Sequence, residues 1–377
     1  MYNRPTWADI DLDNLAFNFH SSKNFIGEDV KYMAGVKANA YGHGAVECSR
    51  RLEAEGVDWL GVAIIEEGVE LRRGGINVPI LCFGSFWSGQ EEILLDSGLT
   101  PVIFQLEQAA LLDKSASNRG IIANIHVKVD TGMGRVGVRV EGVLEFAEKL
   151  KAFTNLNLEG IMSHLAAANN LAENDFTQMQ QSRFESSVAI FRERGFQPDL
   201  VDIANSPGAI AHPESRGNMV RLGGILYGLG GDILPDGIDK PELKPVLSLY
   251  TQIQHIKHVG AGETLGYGRT FRTTRDSIIA TLPIGYHDGY SRSLSNCGRV
   301  IVNGIFAPVV GRISMDWTIV DVTDVPHTAV GDKVTVIGSA GGQSITAEDL
   351  AGELGTISYE VTCGINNRVT KRFFGSG

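Results

Sequence analysis

The sequence lacks the features that mark nucleic-acid-binding and membrane proteins. Its 377 residues include 44 acidic and 33 basic side chains, which give a formal net charge of −11 at pH 7, and Lys and Arg form no run. A nucleic-acid footprint would be basic and clustered, so this charge argues against one. The longest apolar stretches, such as residues 219–229, have the length of a strand and fall far short of a membrane span. We therefore expect neither a nucleic-acid partner nor a membrane.

Cysteine is scarce, and its spacing gives no sign of a metal site. The four cysteines, at positions 48, 82, 297 and 363, include no CxxC pair and no metal-finger pattern. The opening residues MYNRPTWADIDLDNL have no basic start followed by an apolar stretch, as a secretory signal would. We expect reduced thiols, no bound metal and a cytoplasmic location.

The pattern of residues 30–230 predicts an α/β barrel. The chain, of which 43% is hydrophobic, exceeds the size at which one core usually stops growing, so two domains are expected. Eight β-rich runs alternate with stretches whose apolar residues recur at helical spacing, which implies parallel strands with right-handed crossovers. Eight such units predict a closed (β/α)8 barrel of TIM type. An open doubly wound sheet is the alternative, weakened because no GxGxxG follows the first strand. The runs are 30–36, 59–64, 79–84, 100–104, 124–130, 156–165, 200–205 and 219–228.

A change of composition after residue 228 predicts a second domain. Residues 229–245, LGGDILPDGIDKPELKP, are rich in Gly, Pro and Asp and are typical of a linker. Beyond them the pattern is mostly strands, with a hairpin signal at Asn303-Gly304. One late helix is expected after Thr346, which would cap it. We therefore predict a β-rich C-terminal domain over residues 246–377.

Polar residues follow several of the predicted barrel strands, at the end where active sites of such barrels lie. The loops after the seventh and eighth strands often form a phosphate site in this fold, and a serine hydroxyl with two glycine N–H groups would suit an anion there. The alternative is that the Gly pair is only a turn. The residues at this rim are Lys37, Asn39, Tyr41, His43, Arg135, His164, Asn205, Ser206, Arg221, Gly223 and Gly224.

Two lysines at strand ends indicate chemistry. A buried ammonium is costly unless it is paired or deprotonated, and Lys forms Schiff bases with carbonyl compounds, so Lys37 is a candidate nucleophile. The alternative is a strand-end lysine that reaches into water. On the fifth strand, His126, Lys128 and Asp130 share one face, and Arg135 would lie near Lys128. Two close cations need an anion between them, unless Lys128 simply pairs with Asp130.

Nine motifs identify a family. In chain order they are VKANAYGHG, KVDTGMGRVG, MSHLA, ANSPGA, VRLGGILYG, GYGRTF, IGYHDGYSR, GRISMDW and ISYEVTC. Together they resemble the alanine racemase family of pyridoxal-phosphate enzymes over essentially the whole chain. The resemblance implies a cofactor-binding barrel over residues 13–230 and a strand within residues 1–12 that packs near the C-terminal domain. It also implies a homodimer in which residues 246–377 complete the partner's active site. The implied activity interconverts L- and D-alanine and supplies D-alanine for peptidoglycan.

The resemblance also assigns roles to residues. Lys37 resembles the Schiff-base lysine and one catalytic base, and Tyr267 resembles the opposing base, which reaches in from the partner subunit. His164 resembles the residue that links this tyrosine to Arg221, and Arg221 resembles the arginine that faces the cofactor's ring nitrogen. Lys128 matches a lysine that is carbamylated in many members, which would supply the anion beside Arg135. The remaining cofactor-binding residues are Tyr41, Asn205, Ser206, Gly223, Gly224 and Tyr359. The substrate-side residues are Arg135, Met315, Asp316 and, at the substrate entrance, Tyr286.

One departure from the family pattern bears on the substrate. Many alanine racemases have Ser before the catalytic tyrosine, whereas this chain has Gly266, followed after Tyr267 by Arg269 and Phe271. This loop would lie near the substrate, so serine or a broader set of small amino acids stays open. Three other functions also stay open: a pyridoxal-phosphate-binding protein without racemase activity, a decarboxylase on the same barrel, and a Schiff-base aldolase. The first lacks the second domain that this sequence predicts.

Overall fold

The computed structural model describes residues 4–375, so the first three residues of the predicted N-terminal segment and the last two of the C-terminal domain lie outside it. The barrel region contains nine helices and nine strands. The strands are β2 (Lys31–Gly35), β3 (Trp59–Val62), β4 (Ile80–Cys82), β5 (Thr100–Ile103), β6 (Ala123–Asp130), β7 (Val138–Arg139), β8 (Leu156–Met162), β9 (Leu200–Asp202) and β10 (Met219–Leu222); β1 (Thr6–Asp11) precedes them. The helices are α1 (Leu12–Ile26), α2 (Lys37–Tyr41), α3 (Ala45–Ala54), α4 (Ile65–Arg73), α5 (Glu91–Asp96), α6 (Leu106–Arg119), α7 (Val143–Leu150), α8 (Asn174–Glu193) and α9 (Ser206–Ala211).

Eight parallel strands form a nearly closed barrel. They pair in the order β10-β2-β3-β4-β5-β6-β8-β9, and the short β7 adds to β6. Two backbone hydrogen bonds bridge the remaining gap between β9 and β10, from Asn218 N–H to Val201 O (3.2 Å) and from Arg221 N–H to Ala204 O (3.1 Å). Each predicted run overlaps the strand expected there, so the predicted barrel is confirmed and the open-sheet alternative is wrong. The eighth run is shorter than predicted, because the chain turns into a 3-10 segment at residues 224–227.

The barrel strands separate two apolar layers. Ile125, Val127 and Val129 of β6 are buried in the main core, which also takes in the helices. The opposite faces of the strands form an inner cluster, in which Met33, Trp59 and Leu81 take part. His126 packs against Trp59 with ring centroids 5.5 Å apart. Side chains of β6 therefore alternate between the two layers, and the face that carries His126 and Lys128 points into the barrel.

The C-terminal domain is built from antiparallel strands and two helices, α10 (Ala347–Leu354) and α11 (Ser358–Cys363). The predicted hairpin and late helix are confirmed: Asn303 and Gly304 both have positive φ, as a two-residue type I′ turn requires, and Thr346 Oγ1 accepts from Asp349 N–H (3.0 Å). The strands are β11 (Leu247–Gln252), β12 (His255–Val259), β13 (Thr264–Leu265), β14 (Phe271–Arg272), β15 (Ser277–Leu282), β16 (Arg299–Val302), β17 (Ile305–Pro308), β18 (Thr318–Asp321), β19 (Lys333–Ala340), β20 (Gln343–Ile345) and β21 (Thr370–Phe374).

The N-terminal strand belongs to the sheet of this second domain. β1 lies between β11, with which it pairs antiparallel, and β21, with which it pairs parallel. The sheet has the order β17-β16-β19-β11-β1-β21, with β20 added to β19. The chain thus leaves this sheet at residue 11, forms the barrel, and returns to the same sheet at residue 247. Within residues 4–375, no helix is long and apolar enough to cross a bilayer.

Candidate active site

A cavity of about 580 Å³ opens at the carboxyl ends of the barrel strands. It brings together most of the barrel-side residues predicted from the sequence, together with Tyr359 from the C-terminal domain. Gly224 lies directly behind this lining, against the ring of Tyr359. The predicted residues that line the cavity are Lys37, Tyr41, Lys128, Arg135, His164, Asn205, Ser206, Arg221, Gly223 and Tyr359.

Lys37 follows β2 and begins an unusual turn of the backbone. The next four residues, 38–41, all have φ between +52° and +54°, a left-handed conformation that costs an L-residue roughly 1–2 kcal/mol. Hydrogen bonds to the rest of the barrel hold this turn: Ala38 N–H donates to Glu67 Oε1 (2.7 Å), and Asn39 Oδ1 accepts from Ala45 N–H (2.8 Å). Strained backbone of this kind persists only where the surroundings fix it, and it clusters at functional sites. Here it directs both Lys37 and Tyr41 to the cavity.

Four Lys and Arg side chains line the cavity, and burial, together with their proximity, lowers the pKa values of both lysines. Burial is the largest cause for Lys37, followed by the positive charge of Arg135. The pKa of Lys128 falls well below its ordinary value through burial and then through Arg221, Arg135 and Lys37. The alternative in which Lys128 pairs with Asp130 is wrong, because Asp130 instead accepts from the N–H groups of residues 132 and 134 and forms a salt bridge with Arg139 (3.1 Å).

Two glycines and two tyrosines form a tight wall at one end of the cavity. A Cβ at Gly223 would lie 2.6 Å from Tyr41 Oη, and one at Gly224 would lie 2.1 Å from Tyr359 Cε1, so a side chain at either position would displace the tyrosine. Gly223 N–H donates to Ser206 Oγ (2.8 Å). Burial raises the pKa of Tyr41 to about 12 and also raises that of Tyr359, so both hydroxyls stay protonated as donors. Hydroxyls and approachable backbone suit a phosphate group.

The side chain of Asn205 is hydrogen-bonded to backbone groups next to this wall. Its Oδ1 accepts from Gly208 N–H (3.1 Å) and caps α9, while its Nδ2 donates to Leu165 O (3.1 Å). Its amide is therefore engaged on both sides, and it fixes the start of the helix that carries Ser206. Its place as a cofactor-binding residue stays a prediction.

Arg221 and His164 form a buried pair at the opposite side. Arg221 Nη2 donates to His164 Nδ1 (3.2 Å) and to the carbonyls of Ser163 (2.7 Å) and Ile203 (3.2 Å). Burial lowers the pKa of Arg221 to about 9, which leaves it charged at neutral pH. Burial and then the charge of Arg221 lower the pKa of His164 well below its ordinary value, so the imidazole is neutral.

The remaining predicted residues lie apart from this cavity, on the C-terminal domain. Tyr267 is 71% exposed and Met315 is 51% exposed. Tyr286 N–H donates to Ser314 O (3.0 Å), which joins the Tyr286 turn to the loop of Met315, and Asp316 pairs with Arg368 (2.8 Å). None of these four predicted residues lines the cavity of Lys37 in the same chain.

Comparison with known proteins shows which family the chain belongs to. Residues 10–230 match the family model of the alanine racemase N-terminal domain, and residues 246–373 match that of the C-terminal domain. The alanine racemase of Halothermothrix orenii is 42% identical over 370 residues, which cover 98% of this chain and 97% of the relative. The chain belongs to the alanine racemase family.

Solved structures of the alanine racemase family share the fold described above. That of Clostridium difficile 630 matches with a TM-score of 0.91 and 38% identity, covering 99% of this chain and 97% of that one. That of Bartonella henselae, solved with covalently bound pyridoxal phosphate, matches with a TM-score of 0.87 and 29% identity, covering 99% and 100%. The resemblance seen in the motifs is thereby confirmed.

Two acidic residues of this alanine racemase family member were missed by the sequence analysis. Asp202, at the end of β9, is fully buried and forms an ion pair with Arg221. Its signal was an acidic residue inside the apolar run LVDIAN. Asp232, in the linker, accepts from Ser358 N–H (2.6 Å) and Ser358 Oγ (2.8 Å), and so fixes the helix that carries Tyr359. Nothing in a Gly- and Pro-rich linker distinguishes this aspartate.

Proposed function

We propose that this chain interconverts L- and D-alanine with pyridoxal phosphate bound through Lys37. The observation that carries the proposal is the cavity itself, in which an amine of lowered pKa lies between a wall suited to phosphate and a cluster of three further cations. Tyr41, Ser206, Gly223, Gly224 and Tyr359 would hold the phosphate. When bound, the cofactor supplies an electron sink that acidifies the α-proton of an amino acid.

Racemisation needs a proton removed from one face and returned to the other, so two groups must act on opposite faces. Lys37 would serve one face, because burial and Arg135 favour its neutral amine. Tyr267 would serve the other, and neutral His164, whose Nδ1 accepts from charged Arg221, would donate a hydrogen bond to it. Arg221 only donates hydrogen bonds, so the ring nitrogen of the cofactor, as its acceptor, would stay unprotonated. An unprotonated ring would accept less of the negative charge left by removal of the α-proton.

Tyr267 would come from a second copy of the chain. In one chain it is exposed and lies outside the cavity of Lys37. Its surroundings support an interface: Tyr286 (41% exposed), Met315 and Trp317 (43% exposed) also present apolar surface on this domain. Contiguous exposed apolar surface marks interaction sites. We therefore propose a homodimer with two composite sites.

Lys128 would carry a carbamate. Its side chain is 5% exposed, its pKa is lowered, and within the described part of the chain it forms no salt bridge. A neutral ε-amine adds to carbon dioxide, forms an N–C bond as one C=O bond becomes a C–O⁻ bond, and loses one proton, which turns a neutral amine into an anion. That anion would hold Arg135, which would bind the substrate carboxylate.

Alanine is the proposed substrate, and serine stays open beside it. The residue before Tyr267 is Gly266, which has φ of +71°, and a Cβ there would lie 3.0 Å from Arg312 N. The Ser residue that many relatives have at this position would therefore be strained in this chain. Met315, Asp316 and Tyr286 would bound the substrate from the second copy. The supply of D-alanine for peptidoglycan and the cytoplasmic location stay predictions.

A chiral assay of the purified protein against a panel of L-amino acids tests this function. We expect L-alanine and D-alanine to interconvert to an equimolar mixture, because enantiomers have equal free energy in water, and serine to react more slowly. Lys37→Ala should abolish the reaction. Release of carbon dioxide without inversion would indicate a decarboxylase instead, and a loaded protein that leaves every enantiomer unchanged would contradict any racemase.

A further inference from the structure

Arg221 and Asp202 form a buried ion pair where the barrel closes. Asp202 is fully buried and Arg221 is 6% exposed, and two isolated backbone hydrogen bonds, rather than a continuous ladder, bridge their strands β9 and β10. A guanidinium removed from water is strongly destabilising unless a carboxylate meets it in good geometry. The carboxylate of Asp202 meets Arg221 Nη1.

No other carboxylate side chain pairs with Arg221 within the described residues, and the only other negative charge near it would be the carbamate proposed at Lys128. The packed elements present imidazoles and ammonium groups to it, and Asp202 is the only carboxylate in a salt bridge with Arg221 within residues 4–375. A charge of opposite sign within about 4–6 Å stabilises the ionised form of its partner. The basic groups around the Arg221 guanidinium are His126 and Lys128 on β6, His164 after β8, Lys37 after β2 and Arg135 after β6.

The contacts of Arg221 in the described part of the chain leave its Nε–H without an acceptor. Nη1 meets Asp202, and Nη2 is shared by His164 and two backbone carbonyls. The Nε–H has no acceptor among the residues that the structure describes, although Arg221 lines the cavity. This edge of the guanidinium is thus available to a ligand.

We propose that Asp202 is a positioning residue, whose carboxylate fixes the Arg221 guanidinium and keeps it protonated so that its free edge donates to the cofactor's ring nitrogen. The last clause rests on the proposed function. Asp202 also governs His164 through Arg221, since a ring nitrogen that accepts from Arg221 carries no proton. The proton of His164 is then on Nε2, where it can be donated to Tyr267 of a second copy.

The first test is a pH titration of the protein with bound pyridoxal phosphate, read by the near-visible absorbance of the cofactor. Asp202→Asn keeps the shape but removes the charge, so Arg221 should lose its proton more readily. We expect the basic inflection to move down by about 1–3 pH units relative to wild type. Asp288→Asn is the matched control, because it removes an equally buried carboxylate that pairs with Arg4 and Arg368 outside the cavity, and it should leave the inflection in place.

The second test does not depend on catalysis. Thermal unfolding of wild type, Asp202→Asn, Arg221→Gln and the double variant should show coupling, because the double variant buries two neutral amides in place of an unpaired charge. We expect the double variant to recover part of the Tm lost by Asp202→Asn. An unmoved inflection, or Tm losses that simply add, would overturn the proposal. A wild-type protein without racemase activity would overturn the proposed function alone, since neither measurement uses turnover.

Discussion

Gly224 and Tyr359 are in such close contact that the ring of the tyrosine occupies the place where a Cβ would lie, 2.1 Å from Cε1. The contact joins the 3-10 turn after the last barrel strand to helix α11 of the second domain. Alanine at position 224 would therefore displace Tyr359 and open the wall proposed to bind phosphate.

We expect Gly224→Ala to raise the Kd for pyridoxal phosphate at least about tenfold, since overpacking of this kind costs about 1–3 kcal/mol. Fluorescence titration of the protein freed of cofactor measures this. Gly352→Ala is the control: Gly352 lies in α10 with nothing within 4 Å of its Cβ position, and Ala should stabilise the helix slightly. Equal Kd values for pyridoxal phosphate in the two variants would show that Tyr359 does not help to bind the phosphate.

Subunit mixing tests the composite site. Lys37→Ala and Tyr267→Phe should each be inactive, and random exchange should yield hybrid dimers in which one site keeps both bases. Because about a quarter of all sites are then intact, activity should return to about a quarter of wild type in a closed two-fold dimer. Native mass spectrometry of the mixture verifies that hybrids have formed. Hybrids without activity would contradict a site shared between chains.

Isotope exchange tests the assignment of the two bases. By resemblance to the family, Lys37 serves D-alanine, so Tyr267→Phe should exchange the α-proton of D-alanine for deuterium in heavy water without inversion. The rate from D-alanine should clearly exceed the rate from L-alanine, as read by proton NMR. Steady-state racemisation rates cannot distinguish the faces, because the equilibrium constant is one in either direction. Equal exchange from both enantiomers would point to a different second base.

Lys128 should carry a carbamate that depends on pH. Only the neutral amine adds carbon dioxide, and the lowered pKa of Lys128 provides it at neutral pH, whereas acid protonates the amine and releases the carbamate. We expect a carbamate signal in ¹³C NMR after incubation with labelled bicarbonate, absent from Lys128→Ala. Acetate should restore part of the activity of that variant. Full activity of Lys128→Ala without acetate would show that Arg135 needs no anion there.

Asp288 should contribute stability that acid removes. Arg4, Gly285 N–H and Arg368 hold its pKa below the usual range although burial acts to raise it. A carboxyl whose pKa is depressed on folding stabilises the protein above its unfolded pKa, and this contribution is lost as pH falls through the folded pKa. We expect Asp288→Asn to lower the free energy of unfolding by about 2 kcal/mol at pH 7. In urea titrations that deficit should stay constant from pH 8 to about 5 and shrink below about pH 4.

Local signals in the sequence were sufficient to predict much of the fold. Asn303-Gly304 specifies its own turn, Thr346 specifies its own helix start, and Lys37 follows from the rule that barrel sites lie at strand ends. These features depend on residues within one or two turns of the backbone. The motif resemblance then assigned the remaining site residues, most of which the cavity brings together.

Long-range contacts were out of reach for the same reasoning. Asp202 meets Arg221 only because β9 and β10 close the barrel, and periodicity does not fix which side chains meet across such a gap. The left-handed turn at residues 38–41 was also missed, because alanine and tyrosine have no intrinsic preference for positive φ. Its hydrogen bond to Glu67 comes from another helix, and only the assembled barrel supplies it.

The position of β1 between β11 and β21 has a consequence for assembly of the chain. Trp7 and Ile10 are synthesised before the barrel, yet the strands that cover them are synthesised after it. Domains generally fold as units in order of synthesis, so the barrel can form while this strand is still without neighbours. The second domain then closes around a strand made more than two hundred residues earlier. The sheet around β1 can therefore be completed only after β11 and β21 have been made, later than the barrel.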